Sequence, residues 1–263
     1  MSDPELQLLE VGLGDARRRI AVLVAPGDEG ERRAGLIWLP GLKSDMVSTK
    51  AAALAQWASD NGLGTTRFDY SGHGRSDGRF EDATIGDWLE EARAVFTSLT
   101  RGPQILVGSS TGGYIALLLL RALINSAPAQ ADRIKALVLI APAWDLTEEL
   151  MWNQFPEDAR REVMENGVYY RPSEYGEPYA ITRQFIEEGR SHLFRAQPID
   201  PGRPVVILQG VQDVDVPVEH ARRLAGFLTG GWARLVEVAD GEHRMSRPQD
   251  LELLFREIGA LVA

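Results

Sequence analysis

Apolar positions recur with two different periods along this chain, and the changes between them mark out its elements. Residues 5–11 and 19–25 alternate or cluster as strands around Gly12-Leu13-Gly14-Asp15, which predicts a β-hairpin with glycines in the turn. Residues 35–39 are an apolar run stopped by Pro40-Gly41, and residues 49–61 form a helical stretch ending at Gly62. Residues 63–68 predict another strand. Residues 84–100 predict a helix, because Ile85, Trp88, Leu89, Ala92 and Phe96 fall on one face at helical spacing. A short buried strand, 104–107, leads into Gly108, and a long, very apolar helix spans 112–125. Residues 135–140 are again a strand, halted by Ala141-Pro142.

Strand and helix therefore alternate after the first hairpin, the pattern of a mostly parallel sheet flanked by helices on both faces. The alternation breaks across 143–197, which carries Trp144, Trp152, Phe155, Tyr169, Tyr170, Tyr175, Tyr179, Phe185 and Phe194 among scattered prolines and glycines. It resumes with strand 204–209, helix 218–228, strand 234–238 and helix 248–261. The fold class expected is α/β, with residues 1–142 and 198–263 forming one core and 143–197 a small inserted cap.

Composition removes several alternatives. A formal net charge of −10 without a basic run argues against a nucleic-acid or anionic-membrane partner. The absence of cysteine excludes a disulfide framework, a thiolate nucleophile and a thiolate zinc site. The 4 histidines form no ligand pair at His-x-x-x-His spacing, so no metal and no cofactor are expected. No apolar run approaches the roughly 20 residues needed to span a bilayer. The acidic start Met1-Ser2-Asp3-Pro4-Glu5 lacks the basic and apolar regions of a signal peptide, which predicts a cytoplasmic protein.

The sharpest chemical signal is Gly108-Ser109-Ser110-Thr111-Gly112, a Gly-x-Ser-x-Gly pattern between a strand and a helix. A sharp strand-to-helix corner strains its central residue and leaves its neighbours no room for side chains, while the hydroxyl stands at the positive end of the helix. A neutral serine needs an adjacent base. His243, in the loop after the last strand, is the expected base. His73 reads as structural or pocket-lining, His220 as solvated on the polar face of an arginine-rich helix, and His192 has no assignment. Asp213, in the loop after strand 204–209, is the expected orienting acid, with Asp215 its competitor. The backbone N–H groups of Thr111 and Leu42 are the expected oxyanion donors, Leu42 lying in the loop after strand 35–39.

Further segments carry a resemblance. Phe68-Asp69-Tyr70-Ser71-Gly72-His73-Gly74-Arg75-Ser76-Asp77-Gly78 resembles the turn after the fourth strand of many α/β-hydrolases. Leu39-Pro40-Gly41, Gly102 through Ser110, Asp213 through Pro217, Arg171-Pro172-Ser173-Glu174-Tyr175 and His243-Arg244-Met245 are similar to one branch of that superfamily. That branch comprises mitochondrial acyl-glucuronide esterases also described as palmitoyl-protein thioesterases. The resemblance covers nearly the whole chain and implies triad roles for Ser110, Asp213 and His243. It implies a serine hydrolase that cleaves carboxylic esters or acyl thioesters through an acyl-enzyme, with a small acyl ester or thioester as its partner. The mitochondrial address does not carry over, since no transit segment is evident. Dehalogenase and epoxide-hydrolase chemistry is disfavoured, because those relatives place Asp where Ser110 stands. Two alternatives remain at this point: the same triad acting on an amide or a carbon–carbon bond, and a hydrolase fold used only for binding.

Overall fold

Successive residues of the central strands point into opposite apolar layers, and this divides the molecule. The computed structural model describes residues 4–28, 33–173, 176–195 and 197–262. Its strands are β1 (Glu5–Val11), β2 (Arg18–Ala25), β3 (Gly35–Leu39), β4 (Thr65–Phe68), β5 (Gln104–Ser109), β6 (Ile134–Ile140), β7 (Val168–Ser173), β8 (Gly176–Thr182), β9 (Val205–Gly210) and β10 (Ala233–Val238). On β3, Leu36 and Trp38 belong to one buried cluster while Ile37 and Leu39 belong to the other. The period of two in a pleated strand produces this division.

The helices are α1 (Thr49–Asp60), α2 (Ile85–Leu99), α3 (Thr111–Ser126), α4 (Pro128–Ala131), α5 (Glu157–Asn166), α6 (Arg183–Gly189), α7 (Val218–Phe227) and α8 (Pro248–Val262). Apolar residues of α1 and α8 fill one layer, and those of α2, α3 and α7 fill the other. Eight strands form one sheet in the order β1-β2-β4-β3-β5-β6-β9-β10. The pairs β1–β2 and β2–β4 are antiparallel, and every pair from β4–β3 to β9–β10 is parallel. The expected mostly parallel sheet flanked by helices is therefore present. Helix α3 is apolar nearly all round because it lies against β5 on one side and α2 on the other.

Between β6 and β9, no strand among the described residues joins the main sheet. The segment contains a π-helical turn (Leu146–Trp152), α5, the separate β7–β8 hairpin and α6. Trp144, Phe155, Phe185 and Phe194 are buried in the same cluster as Trp88 and Tyr114, so these aromatics pack the segment onto the core. A buried side chain of this size contributes about 1.5–3 kcal/mol. Tyr170, by contrast, is 57% exposed. Glu174 and Tyr175 lie outside the described residues.

Candidate active site

Strand β5 ends at Ser109 and α3 begins at Thr111, leaving Ser110 alone at the corner with φ 54° and ψ −117°. That backbone state is strained, and the surroundings impose it. The Ser110 N–H donates to the Ile140 carbonyl at 2.8 Å, and the Ser110 carbonyl accepts from Gly113 at 2.9 Å and Ala143 at 3.1 Å. The flanking glycines answer to close packing. A Cβ at Gly112 would stand 2.0 Å from the Leu39 carbonyl oxygen, and one at Gly108 would stand 2.4 Å from that of Gly112.

The loops after β9 and β10 bring the other two residues to this corner. The Gln212 N–H donates to the Gly241 carbonyl at 2.9 Å, which ties the two loops together. His243 Nδ1 donates to Asp213 Oδ2 at 2.8 Å. The same oxygen accepts Gln209 Nε2 at 3.0 Å, and Asp213 Oδ1 accepts the N–H groups of Asp215 at 2.9 Å and Val216 at 2.8 Å. A buried carboxylate given these donors stays in place as an acceptor and holds the imidazole proton on Nδ1. His243 Nε2 thereby presents a lone pair to Ser110, whose Oγ donates to it at 3.1 Å. The expected Ser110, His243 and Asp213 are thus brought together. Asp215 stands within 4.8 Å of the pair but turns its own N–H to Asp213.

The segments that carry the two expected donors also meet at this corner. Thr111 is the first residue of α3, so its N–H has no intrahelical partner. In the loop after β3, the Gly41 carbonyl accepts from the Ser44 N–H at 3.1 Å. Across a trans peptide the N–H points opposite to the carbonyl, which turns the Leu42 N–H away from that bond. A Cβ on Gly41 would lie 3.3 Å from the Ser110 Cβ, so this loop closes directly on the corner. Among the described residues, neither the Leu42 nor the Thr111 N–H has an acceptor.

The remaining histidines are not arranged for attack on an acyl group. His73 is buried and bonded through both ring nitrogens to backbone, to Ser71 and Lys43, in keeping with a structural reading. His192 pairs with Glu188 at 2.5 Å, and Glu188 also accepts the Gly86 N–H at 3.2 Å, joining α6 to the start of α2. His220 corrects the expectation of a solvated side chain: it is 2% exposed. Its Nε2 donates to the Trp144 carbonyl at 2.8 Å, its Nδ1 accepts from Arg223 at 2.9 Å, and the Trp144 indole N–H donates to the His220 carbonyl at 3.1 Å. The i, i+4 pair His220–Leu224 shares the buried face of α7, a spacing that could have revealed it.

Two supporting residues carry no motif. Gln209, at the end of β9, also donates to the Val216 carbonyl at 2.9 Å and so braces the whole Asp213 loop. Lys50 of α1 donates to the Arg244 carbonyl and, at 3.3 Å, to Ser246 Oγ, clipping the loop of His243 from below. Burial lowers the Lys50 ammonium to a pKa of about 8.

A doubly flanked, mostly parallel sheet with a serine on a strained strand-to-helix corner defines the α/β-hydrolase class. A family model described as serine aminopeptidase, S33, matches residues 30–184, more than half of the 263 residues. The chain belongs to this hydrolase family, within the α/β-hydrolase superfamily. It is 35% identical over 230 residues to a mitochondrial palmitoyl-protein thioesterase, ABHD10, of Pongo abelii, an alignment covering 87% of this chain and 72% of that one. A crystal structure of a hydrolase-class protein from Agrobacterium vitis S4 superposes with a TM-score of 0.96 and 42% identity, covering 100% of both chains. Mouse α/β-hydrolase domain-containing protein 10 superposes with a TM-score of 0.83 and 30% identity, covering 97% of this chain and 98% of that one. No helix among the described residues is long and apolar enough to cross a membrane.

Proposed function

We propose that this chain is a serine hydrolase that cleaves carboxylic ester or acyl-thioester bonds through an acyl-enzyme on Ser110. The observation that carries this reading is the line Ser110–His243–Asp213, with contacts of 3.1 Å and 2.8 Å. Ser110 Oγ attacks the acyl carbonyl while His243 Nε2 takes its proton, and Asp213 stabilises the imidazolium. The carbonyl oxygen, now anionic, is met by the N–H groups of Leu42 and Thr111. Collapse breaks the bond to the leaving alcohol or thiol, which receives the proton from His243. Water then attacks the acyl-enzyme by the same path in reverse and frees the acid and Ser110.

The name of the thioesterase relatives supports the acyl-thioester part of the substrate range. Residues 143–197 act as a cap in this reading, supported by Phe80 and Tyr179, whose rings meet edge to face 6.3 Å apart between the core and the β7–β8 hairpin. A cytoplasmic location remains part of the proposal and is tested by cell fractionation; the mitochondrial designation belongs to the relatives' names.

The direct test pairs a panel of p-nitrophenyl esters and acyl thioesters with a serine-directed fluorophosphonate. The parent should hydrolyse the panel and take the label. Ser110→Ala should lose activity by several orders of magnitude, as triad disruption does, and should stay unlabelled, whereas Ser109→Ala keeps both properties. Activity or labelling that survives in Ser110→Ala would overturn the assignment.

A further inference from the structure

The turn that carries the Leu42 N–H is held from outside itself. Residues 41–44 close on one internal hydrogen bond, from Ser44 to Gly41 at 3.1 Å, and Lys43 within them adopts φ 57°. A side-chain-bearing residue disfavours that left-handed state, so an unsupported turn of this kind relaxes by rotating the Leu42–Lys43 peptide. Two side chains from the segment after β4 oppose the rotation. His73 Nε2 accepts the Lys43 N–H at 3.0 Å, and Asp69 Oδ1 accepts the Met46 N–H at 2.7 Å.

Both supports are themselves immobilised. Since Lys43 supplies a proton to Nε2, His73 carries its own proton on Nδ1, which donates to the Ser71 carbonyl at 3.1 Å. The ring is enclosed by Tyr70, Phe80 and Trp88, at centroid distances of 6.1, 5.4 and 5.3 Å. Asp69 Oδ2 accepts the Arg75 N–H at 2.8 Å, and Arg67 donates to the Met46 carbonyl at 3.0 Å. Burial pushes the His73 imidazolium down to a pKa of about 4, so the ring is a neutral acceptor at ordinary pH. With both nitrogens engaged by backbone, His73 has no capacity left to exchange a proton with a substrate.

We propose that His73 is a positioning residue for the reaction at Ser110: by accepting the Lys43 N–H it locks the 41–44 turn so that the Leu42 N–H meets the oxyanion. Asp69 locks the far end of the same loop. The inference rests on the acyl-enzyme reading above and adds to it a side chain that acts only through backbone.

The test compares His73→Phe, which keeps a ring but has no acceptor, with His73→Gln, whose amide oxygen can replace Nε2. Each is assayed for kcat, KM, thermal midpoint and inhibition by an alkyl trifluoromethyl ketone, which forms an oxyanion on an active-site serine. Complete loss of an oxyanion donor costs about 10²–10³ in kcat, and a displaced one should cost about 10- to 100-fold. His73→Phe should therefore lose kcat by that smaller factor, with KM within about twofold, and should lose ketone affinity in step with kcat/KM. His73→Gln should recover most of both. If His73→Phe does not fold, His73→Met, also without an acceptor, takes its place. Parental kcat and ketone affinity in the acceptor-less variant would overturn the proposal. So would equal losses in both variants that follow the thermal midpoint, since those mark a purely structural residue. If Ser110→Ala is inert and unlabelled while His73→Phe is fully active, only the positioning role falls; an active Ser110→Ala removes the acyl-enzyme reading as well.

Discussion

A serine at φ 54° and ψ −117° is kept there by hydrogen bonds that involve only its backbone N–H and carbonyl. Replacing its side chain therefore leaves the clamp intact, and the strain of a Cβ at positive φ can be measured by removing it. Ser110→Gly relieves that strain, and Ser110→Ala retains it. We expect Ser110→Gly to be more stable than Ser110→Ala by about 1 kcal/mol in urea or thermal unfolding, after the flexibility glycine adds to the unfolded chain. Equal midpoints would mean that the corner is unstrained. The candidate site was legible at this scale because the chemistry demands recognisable neighbours: glycines where the Ser110 corner packs on Leu39, and an acid and a histidine in the loops after β9 and β10. Gln209 and Lys50 were not legible, since a glutamine at a strand end and a lysine on a helix have no distinguishing spacing. His220 was misread because the residue that covers it, Trp144, lies far away in sequence.

Elements were legible where one period persists. Strand β3 was legible as an apolar run, but its two faces, Leu36 and Trp38 against Ile37 and Leu39, were not, because both are buried and all four residues are apolar. The ends of elements moved by a residue or two where tertiary pairing decides. Strand β5 runs on to Ser109 because Gly108 and Ser109 pair with Leu139 and Ile140 of β6. The segment 143–197 was legible only as an interruption, since its π-helical turn and short hairpin hold no period long enough to read. The start of α2 is defined by chemistry instead. Thr84 accepts the Asp87 N–H at 3.2 Å while the Asp87 carboxylate accepts the Thr84 N–H at 3.0 Å, a reciprocal cap. Thr84→Ala removes one half of it and should lower stability by about 1 kcal/mol. Chemical denaturation checks this, and a loss within error would show that packing of Trp88 and Phe185 alone sets the helix start.

At the scale of the whole molecule, two buried neutral histidines join the layers that surround the site. His73 links the segment after β4 to the loop after β3, and His220 links α7 to Trp144 at the start of the interrupting segment. Each ring donates from one nitrogen to a carbonyl and accepts an N–H at the other, so a second proton must displace an accepted hydrogen bond and place a charge in the interior. Burial, aided by Lys43 beside His73 and Arg223 beside His220, lowers both from the usual 6.5 to about 4. The sign of the linkage follows. Between those values the unfolded chain binds protons that the folded chain refuses, so stability falls as pH drops from 6.5 toward about 4 and is fully present well above 6.5. Asp69, Glu91 and Asp145, whose pKa values burial raises, slope in the opposite direction. The informative quantity is therefore a difference between proteins: thermal midpoints of the parent and of His73→Gln/His220→Gln, measured at intervals from pH 7.5 to 4. We expect the parent to lose stability more steeply as pH falls below 6.5, with the two curves becoming parallel only toward pH 7.5, where few unfolded chains still carry a proton on either histidine. Parallel curves throughout would show that these histidines take up protons in the folded protein as readily as in the unfolded chain, and that the joints they form survive the charge.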